Sequence, residues 1–260
     1  HLILDDNVVG RPDYDLELFK ALKPLKIRWV GQSSMSFANR EDLMRAAYDS
    51  GCRGLFFGME TVSEESMKRM KKSFRDLKDV ADGIRRVQAA GIRFHASVVF
   101  GFDTDGPGIF DDTLDFLMKS RVHSATFNIL TPYPGTAVYE RLKRAGRLFT
   151  EDWQHYDHTT VVFQPARMTA RQLAEGQHRV RRAFYRLGSI LKRFPHHMKH
   201  PVFFMGVNLA MRFAGRRARL PLAPGGEERG AFIAPAEGPR SESSPGRPFA
   251  PATGPTDPGS

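Results

Sequence analysis

Arg53-Gly-Leu-Phe-Phe-Gly-Met-Glu60 is the stretch on which the reading of the fold turns. Three uninterrupted hydrophobics, Leu55, Phe56 and Phe57, run into Gly58 and then present a carboxylate, Glu60. A helix is expected to start near Ser63. Such a run suits a strand buried on both faces, as in a parallel sheet covered by helices. Ligand-binding groups in these sheets gather at the carboxyl ends of the strands, which puts Glu60 where chemistry is usually done.

Working outward toward the N-terminus, residues 1–5 read as a strand that runs into Asp5-Asp6-Asn7. A helix is expected over residues 13–22, ended by Pro24. Residues 27–31 form the next strand and lead into Gln32-Ser33-Ser34. Asn39 is the expected cap of a helix that Gly51 closes. On the other side come helices over 64–71 and from about Leu77. The second carries Leu77, Val80, Ala81, Ile84 and Val87 on one face and stops at Gly91. Residues 92–100 are a strand entering Gly101-Phe102-Asp103-Thr104-Asp105, and 110–119 are helical. Residues 125–130 are a strand entering Thr131-Pro-Tyr-Pro-Gly-Thr136, followed by a helix to about Lys143. Five successive strand–helix units each fit one right-handed βα unit of a parallel sheet. The fold class is therefore α/β, as an open partial barrel or a doubly wound sheet; a complete eight-fold barrel takes ~250 residues.

The character changes near residue 150. Trp153, His155, Tyr156 and His158 form a polar aromatic link, with Val161-Val-Phe163 as an edge strand. A basic helix is expected over 169–192. Residues 201–215 are apolar, of a length that suits a packed or interfacial helix. The expected division is 1–148 for the barrel portion, 149–220 for a helical extension and 221–260 for a tail. That tail holds nine of the 17 prolines, with Gly and Ser between them, and is expected to be disordered.

The totals set bounds. A chain of 260 residues, 41% hydrophobic, can bury one substantial core. No stretch reaches the ~18–20 apolar residues of a membrane span. The single cysteine, Cys52, excludes internal disulfides and any multi-cysteine metal site within these residues, and its place at the start of a strand marks a structural thiol. The net charge of +10 is concentrated between Arg167 and Arg219, which suits a solvated basic helical surface at least as well as nucleic-acid binding. The start at His1, inside an apparent strand, is read as that of a fragment.

Five strand ends converge on this reading: Asp5-Asp6-Asn7, Gln32-Ser33-Ser34, Glu60, Asp103 to Asp105, and Asn128 with Thr131. Carboxylates and amides there suit an amino group, hydroxyls or a ribose, and Gly58, Gly101 and Gly135 allow close backbone approach. Lys71 and Lys72 can meet a ligand carboxylate. Taken singly, each signal has a plainer reading. Acids after strands are often helix caps or turn formers, the lysines a solvated helix face, Pro-Tyr-Pro-Gly a rigid turn, and His155 and His158 surface residues.

Together, Leu4-Asp-Asp-Asn7, Trp29-Val-Gly-Gln-Ser33, Ser50-Gly-Cys-Arg53, Phe57-Gly-Met-Glu-Thr61, Val99-Phe-Gly-Phe-Asp103 and Leu130-Thr-Pro-Tyr-Pro-Gly-Thr136 occur in a telling order. Over roughly residues 1–190 the chain resembles the radical S-adenosylmethionine enzymes, in the group whose members carry an N-terminal cobalamin-binding domain. The resemblance implies a partial (β/α)6 TIM-like barrel lacking its first strand, followed by C-terminal helices. The cofactors it implies are S-adenosylmethionine, a [4Fe–4S] cluster and cobalamin. The cluster is held in that family by Cys-x3-Cys-x2-Cys after the first strand, and this chain lacks the motif. Reductive cleavage of the sulfonium gives a 5′-deoxyadenosyl radical; the protein positions and shields the cofactors. By match to the family pattern, Asp5, Asp6 and Asn7 meet the methionine amino group and Glu60 the ribose. Lys72 helps hold the cofactor, Gly101 lies near the adenine, and Leu130, Thr131 and Pro132 lie beside it. Gln32, Ser34 and Asp103 complete the rim.

The resulting expectation is an enzyme, a radical core serving cobalamin-dependent methyl transfer, inactive without the cluster ligands. Expected partners are a small-molecule or lipid-like substrate, an electron donor such as flavodoxin or ferredoxin, and peripheral membrane contact from a cytoplasmic protein, with no nucleic acid. Two other readings stand beside it: a non-catalytic remnant that binds an adenosyl ligand or a partner, and an unrelated barrel lyase using Lys71 or Lys72 as a Schiff base. Against the last, neither lysine lies on a strand that would hold it rigidly.

Overall fold

The computed structural model describes residues 1–5, 7–69, 76–194, 201–214 and 222–226. The expected tail, save 222–226, lies outside the described residues, as do Asp6, Lys71 and Lys72.

Four parallel strands form one sheet in sequence order: β1 (Trp29–Ser33), β2 (Cys52–Glu60), β3 (Arg93–Phe100) and β4 (Ser124–Ile129). Between them run α1 (Pro12–Leu22), ahead of β1, then α2 (Glu41–Asp49), α3 (Glu64–Arg69), α4 (Leu77–Ala89) and α5 (Ile109–Lys119). After β4 come α6 (Ala137–Arg144), α7 (Ala170–Phe184), α8 (Leu187–Lys192) and α9 (Pro201–Ala214). Strand order that follows chain order is what successive right-handed crossovers build. The expected strand over residues 1–5 is a single parallel bridge, Leu2 to Val30, held by Ile3 N donating to Val30 O at 2.9 Å. It lies along the free edge of β1, so the five-segment order is kept while the first segment is shorter than its sequence implies.

Helix ends follow local chemistry. Gly51 and Gly91 stand at φ 105° and 83° after α2 and α4, where a side chain would be strained. A Cβ at Gly51 would also run into Ile27 O. Asn39 is not the cap of α2: it ends a 3-10 turn, Met35–Asn39, and Arg40 takes the cap position without a side-chain bond. The expected helix over 169–192 is two helices. Thr169 opens α7 with a capping box to Gln172. The chain then breaks at Tyr185, whose hydroxyl donates to Ala125 O at 2.6 Å and accepts from Ala125 N at 3.0 Å. That bond pins the end of α7 to β4. Val161 and Phe163 do not join the sheet; they make isolated bridges to Leu222 and Leu148.

Below the N-terminal ends of β3 and β4 sits a buried polar knot. Arg193 donates to Val122 O (2.8 Å), His123 O (3.1 Å), Phe184 O (2.9 Å) and Asn208 Oδ1 (3.1 Å). Asn208, on α9, donates in turn to His123 O at 3.1 Å. The last helix is thereby bolted across the bottom of the sheet. Among the described residues, no helix is long and apolar enough to cross a membrane.

Candidate functional site on the open face of the sheet

The run Leu55-Phe56-Phe57 is not buried on both sides, as its composition suggested. Phe57 is 0% exposed and Phe56 40%. Side chains alternate across a strand, and the register extends that alternation over the sheet. Leu55, Phe57, Phe94, Ala96, Val98, Phe127 and Ile129 pack under the helices. On the other face lie Gln32, Phe56, His95, Ser97, Val99 and Asn128, half-buried or exposed. The second face is open and mixes polar side chains with Phe56 and Val99.

Its lower part is knitted together. The Phe56 and His95 rings stand 4.4 Å apart, and His95 reaches Ser124 Oγ at 2.8 Å and Thr126 Oγ1 at 3.4 Å. Burial pushes the His95 imidazole down to about 4, so it is neutral at pH 7. Higher up, Asn128 Nδ2 donates to Ser97 Oγ at 3.2 Å.

At the carboxyl end of β2 the register with β3 shifts between Gly58 and Glu60, and Glu60 takes φ 66°. A bulge re-aims a side chain. Here it turns the Glu60 carboxylate back over Gly58: a Cβ on that glycine would lie 3.3 Å from Glu60 Oε1. A non-glycine residue held at positive φ is strained and marks places where structure serves function.

Beside it, the ends of β1 and the N-terminal segment meet. Asn7 Oδ1 accepts from Ser34 N at 3.2 Å and from Val9 N at 3.3 Å, while Asp5 Oδ1 accepts from Asn7 N at 3.0 Å. Gln32 O accepts from Val8 N at 3.0 Å, leaving the Gln32 side chain exposed on the open face. The structure thus brings Asp5, Asn7, Gln32 and Ser34 together as one corner.

The β3 turn is committed differently. Gly101 stands at φ 105°, and a Cβ there would lie 3.0 Å from Phe163 Cζ. Asp105 Oδ2 accepts from Gly101 N (2.9 Å) and Phe102 N (3.0 Å). Burial raises the Asp105 carboxyl to about 6 in spite of those two bonds. Asp103 is ion-paired to Arg141 at 2.9 Å and to Arg147 at 2.8 Å, so its two oxygens tie the turn to α6 and the segment after it. Thr131 Oγ1 donates to Ile129 O at 3.2 Å, and Pro132 is buried. Phe56, His95 and Ser97 were not singled out from sequence. For His95 and Ser97 the signal is the period-two pattern of Arg93-Phe-His-Ala-Ser-Val-Val-Phe100, apolar on one side and mixed on the other, while Phe56, beside Phe57 in an apolar run, carries none.

Cys52 lies at the opposite end of β2, fully buried, its thiol pushed up to about 12 by burial. Among the described residues no group of three or more His, Cys, Asp and Glu side chains is placed to hold a metal ion.

The chain is similar to several known proteins. A family model described as a domain of unknown function (DUF4070) matches residues 136–204. A bacteriochlorophyllide d C-12(1)-methyltransferase of Chlorobaculum tepidum is 32% identical over 190 residues, 73% of this chain and 41% of that protein. A hopanoid C-2 methylase of Rhodopseudomonas palustris is 25% identical over 57% of this chain and 29% of its own length. The chain therefore spans less than half the length of these curated relatives. Among solved structures, the cobalamin-dependent S-adenosylmethionine radical enzyme OxsB matches 82% of this chain and 39% of its own, at TM-score 0.50 and 14% identity, a likeness of fold. The ordered motifs, the parallel sheet and these relatives all agree with the resemblance to the radical S-adenosylmethionine superfamily, and the cobalamin-associated group is the one that fits.

Proposed function

We propose that this chain supplies the S-adenosylmethionine-holding wall of a cobalamin-dependent radical methyltransferase. The observation that carries the reading is the bulge at Glu60, which places a carboxylate over a bare glycine at the mouth of the open face. A carboxylate there can accept from both ribose hydroxyls, and Gly58 lets the sugar lie against the backbone. The Asp5, Asn7 and Ser34 corner offers oxygen acceptors to the methionine ammonium. Gly101, Thr131 and Pro132 offer backbone beside the adenine. Lys72 and Asp6, outside the described residues, keep their proposed contacts with the carboxylate and the ammonium. Asp103 then acts through the turn it braces. In this division residues 1–148 are the barrel portion and 149–220 the extension that backs it.

These residues fit S-adenosylmethionine but not the cluster. Its three thiolates are not among the 260 residues, and Cys52 is buried at the wrong end of its strand. When bound, S-adenosylmethionine supplies the transferred methyl group and the means of starting radical chemistry. This chain's own part is to bind, orient and shield it, with Phe56 and neutral His95 forming a floor for a planar or apolar acceptor. The named relatives suggest a tetrapyrrole or polycyclic lipid as that acceptor. Reductive cleavage of the sulfonium needs an electron, so a donor such as flavodoxin or ferredoxin belongs to the same proposal.

Calorimetric titration of S-adenosylmethionine into the chain tests the site. Glu60→Ala is expected to weaken binding by roughly tenfold to a hundredfold, the worth of a charged hydrogen bond, while His155→Ala leaves it unchanged. Equal affinities for the two variants overturn the assignment. Turnover is read in the protein carrying the cluster motif, after reconstitution with iron and sulfide, as release of 5′-deoxyadenosine and labelled methyl transfer.

A further inference from the structure

Away from the rim, the last turns of α7, the Tyr185-Arg186 link after it and the end of α9 line a cavity of about 520 Å³, with His178, Arg181, Arg182, Arg186, Met211 and Arg212 in its wall. Two of the arginines have local employment. Arg181 Nη2 donates to Met211 O at 3.4 Å, and Arg212 Nη1 donates to Tyr185 O at 3.1 Å. Cations near a helix C-terminus are ordinarily explained by its dipole. That explanation leaves much over. Arg181 Nε is buried without a partner, and Arg182 and Arg186 are exposed. Elsewhere on α7, Arg171 and Arg179 pair with Glu175 and Asp111, whereas the four cavity arginines have no acidic partner among the described residues. Burial, then Arg182 and Arg181, hold His178 below its usual value, as a cationic surrounding requires.

The neighbouring helices α8 and α9 expose apolar side chains. Helix α9 buries Phe204 and Asn208, and its outer side shows Val202 (83% exposed), Gly206, Ala210 and Phe213 (57% exposed), spaced i, i+4, i+8 and i+11. No charged residue interrupts that stripe. Phe213 directly follows Arg212, and Leu187 directly follows Arg186. Leu187 and Leu191, at i and i+4 on α8, are 49% and 63% exposed. A helix with an outward apolar stripe next to unpaired arginines has the anatomy of an interfacial element. It is too short to span.

We infer that α8 and α9 lie on an anionic lipid surface, with a phosphate headgroup seated among Arg181, Arg182, Arg186 and Arg212. Charge complementarity selects this occupant: an acidic headgroup neutralises the arginines while acyl chains cover Val202, Phe213, Leu187 and Leu191.

The test is flotation of the whole chain with vesicles of phosphatidylcholine alone or mixed with phosphatidylglycerol. Selective partition onto the anionic vesicles, weakening with salt, is expected. Arg182→Gln with Arg186→Gln should lower that partition roughly tenfold or more, given the contribution of each basic residue at an anionic surface. Val202→Ser with Phe213→Ser should lower it as well. All four side chains are exposed, so circular dichroism should show both variants folded. Equal partition onto neutral vesicles overturns the headgroup site. So does binding of free inorganic phosphate without vesicle partition. A dimer in sedimentation velocity that Val202→Ser and Phe213→Ser dissolves, with no partition, assigns the face to a second copy and overturns the proposal.

Discussion

The carboxylate of Glu60 lies over Gly58, two residues back along the same strand, and the backbone at Glu60 is held at φ 66° to put it there. A left-handed conformation costs a residue with a Cβ about 1 kcal/mol or more, and costs glycine little. Stability and ligand binding should therefore separate at this position. Glu60→Gly is expected to raise unfolding free energy by up to about 1 kcal/mol in urea denaturation while weakening S-adenosylmethionine binding. A variant that loses stability and binding together would mean that Glu60 holds the strand end and not a ligand.

Arg193 carries a cation into the interior with only neutral acceptors around it. Burial lowers it to about 10, still charged at pH 7. Its four bonds satisfy three backbone carbonyls and Asn208, and its guanidinium lies 3.6 Å from the Phe184 ring centroid. Arg193→Met leaves those acceptors dry and should cost about 3 kcal/mol or more. Asn208→Ala should cost less, and the double variant less than the sum, since the two share one network. Additive losses in chemical denaturation would separate the two residues energetically.

Acid stability turns on three buried groups of opposite sign. His95 and His123 are both pushed down from 6.5 to about 4, chiefly by burial. Below 6.5 the unfolded imidazoles take up protons that the folded ones refuse, so each loses its stabilising contribution as pH falls toward 4. Asp105 is raised by burial from 3.8 to about 6. Its folded form keeps a proton that the unfolded form gives up, so its contribution is greatest below 3.8 and is lost as pH rises through 6. Each group is worth on the order of 1–3 kcal/mol, and two imidazoles outweigh one carboxyl. The chain should lose stability between pH 6.5 and 4. Asp105→Asn should steepen that limb and His123→Gln should flatten it, as read from urea midpoints against pH.

The strands and the helices between them were legible because their hydrophobic runs and glycine stops are local. Gly51 and Gly91 end α2 and α4 where the sequence places them, at positive φ. What was illegible depends on distant partners. The break after Phe184 comes from Tyr185 bonding to Ala125, sixty residues away. Arg193 reads as a surface cation until α9 covers it. In the site, Glu60 and Asn7 stand out at strand ends, but the pairing of Asn7 with Ser34 spans 27 residues. Phe56 and Phe57 are indistinguishable by composition; only the sheet decides which one faces the open wall.

Gly176 on α7 sits against the ring of Phe110 on α5, so closely that a Cβ would collide with three of its carbons. Helix propensity argues the other way, favouring alanine over glycine by about 1 kcal/mol in a helix interior. The collision should win. Phe110 is 2% exposed and its centroid stands 4.9 Å from that of Phe100, so the ring has nowhere to turn. Overpacking of this kind costs about 1–3 kcal/mol, and Gly176→Ala should lower the urea midpoint with an unchanged slope. Phe110→Leu opens a cavity and is destabilising alone, but it makes room for the added methyl. The double variant should therefore recover part of the loss, and strictly additive losses would show that α5 and α7 do not meet at this ring.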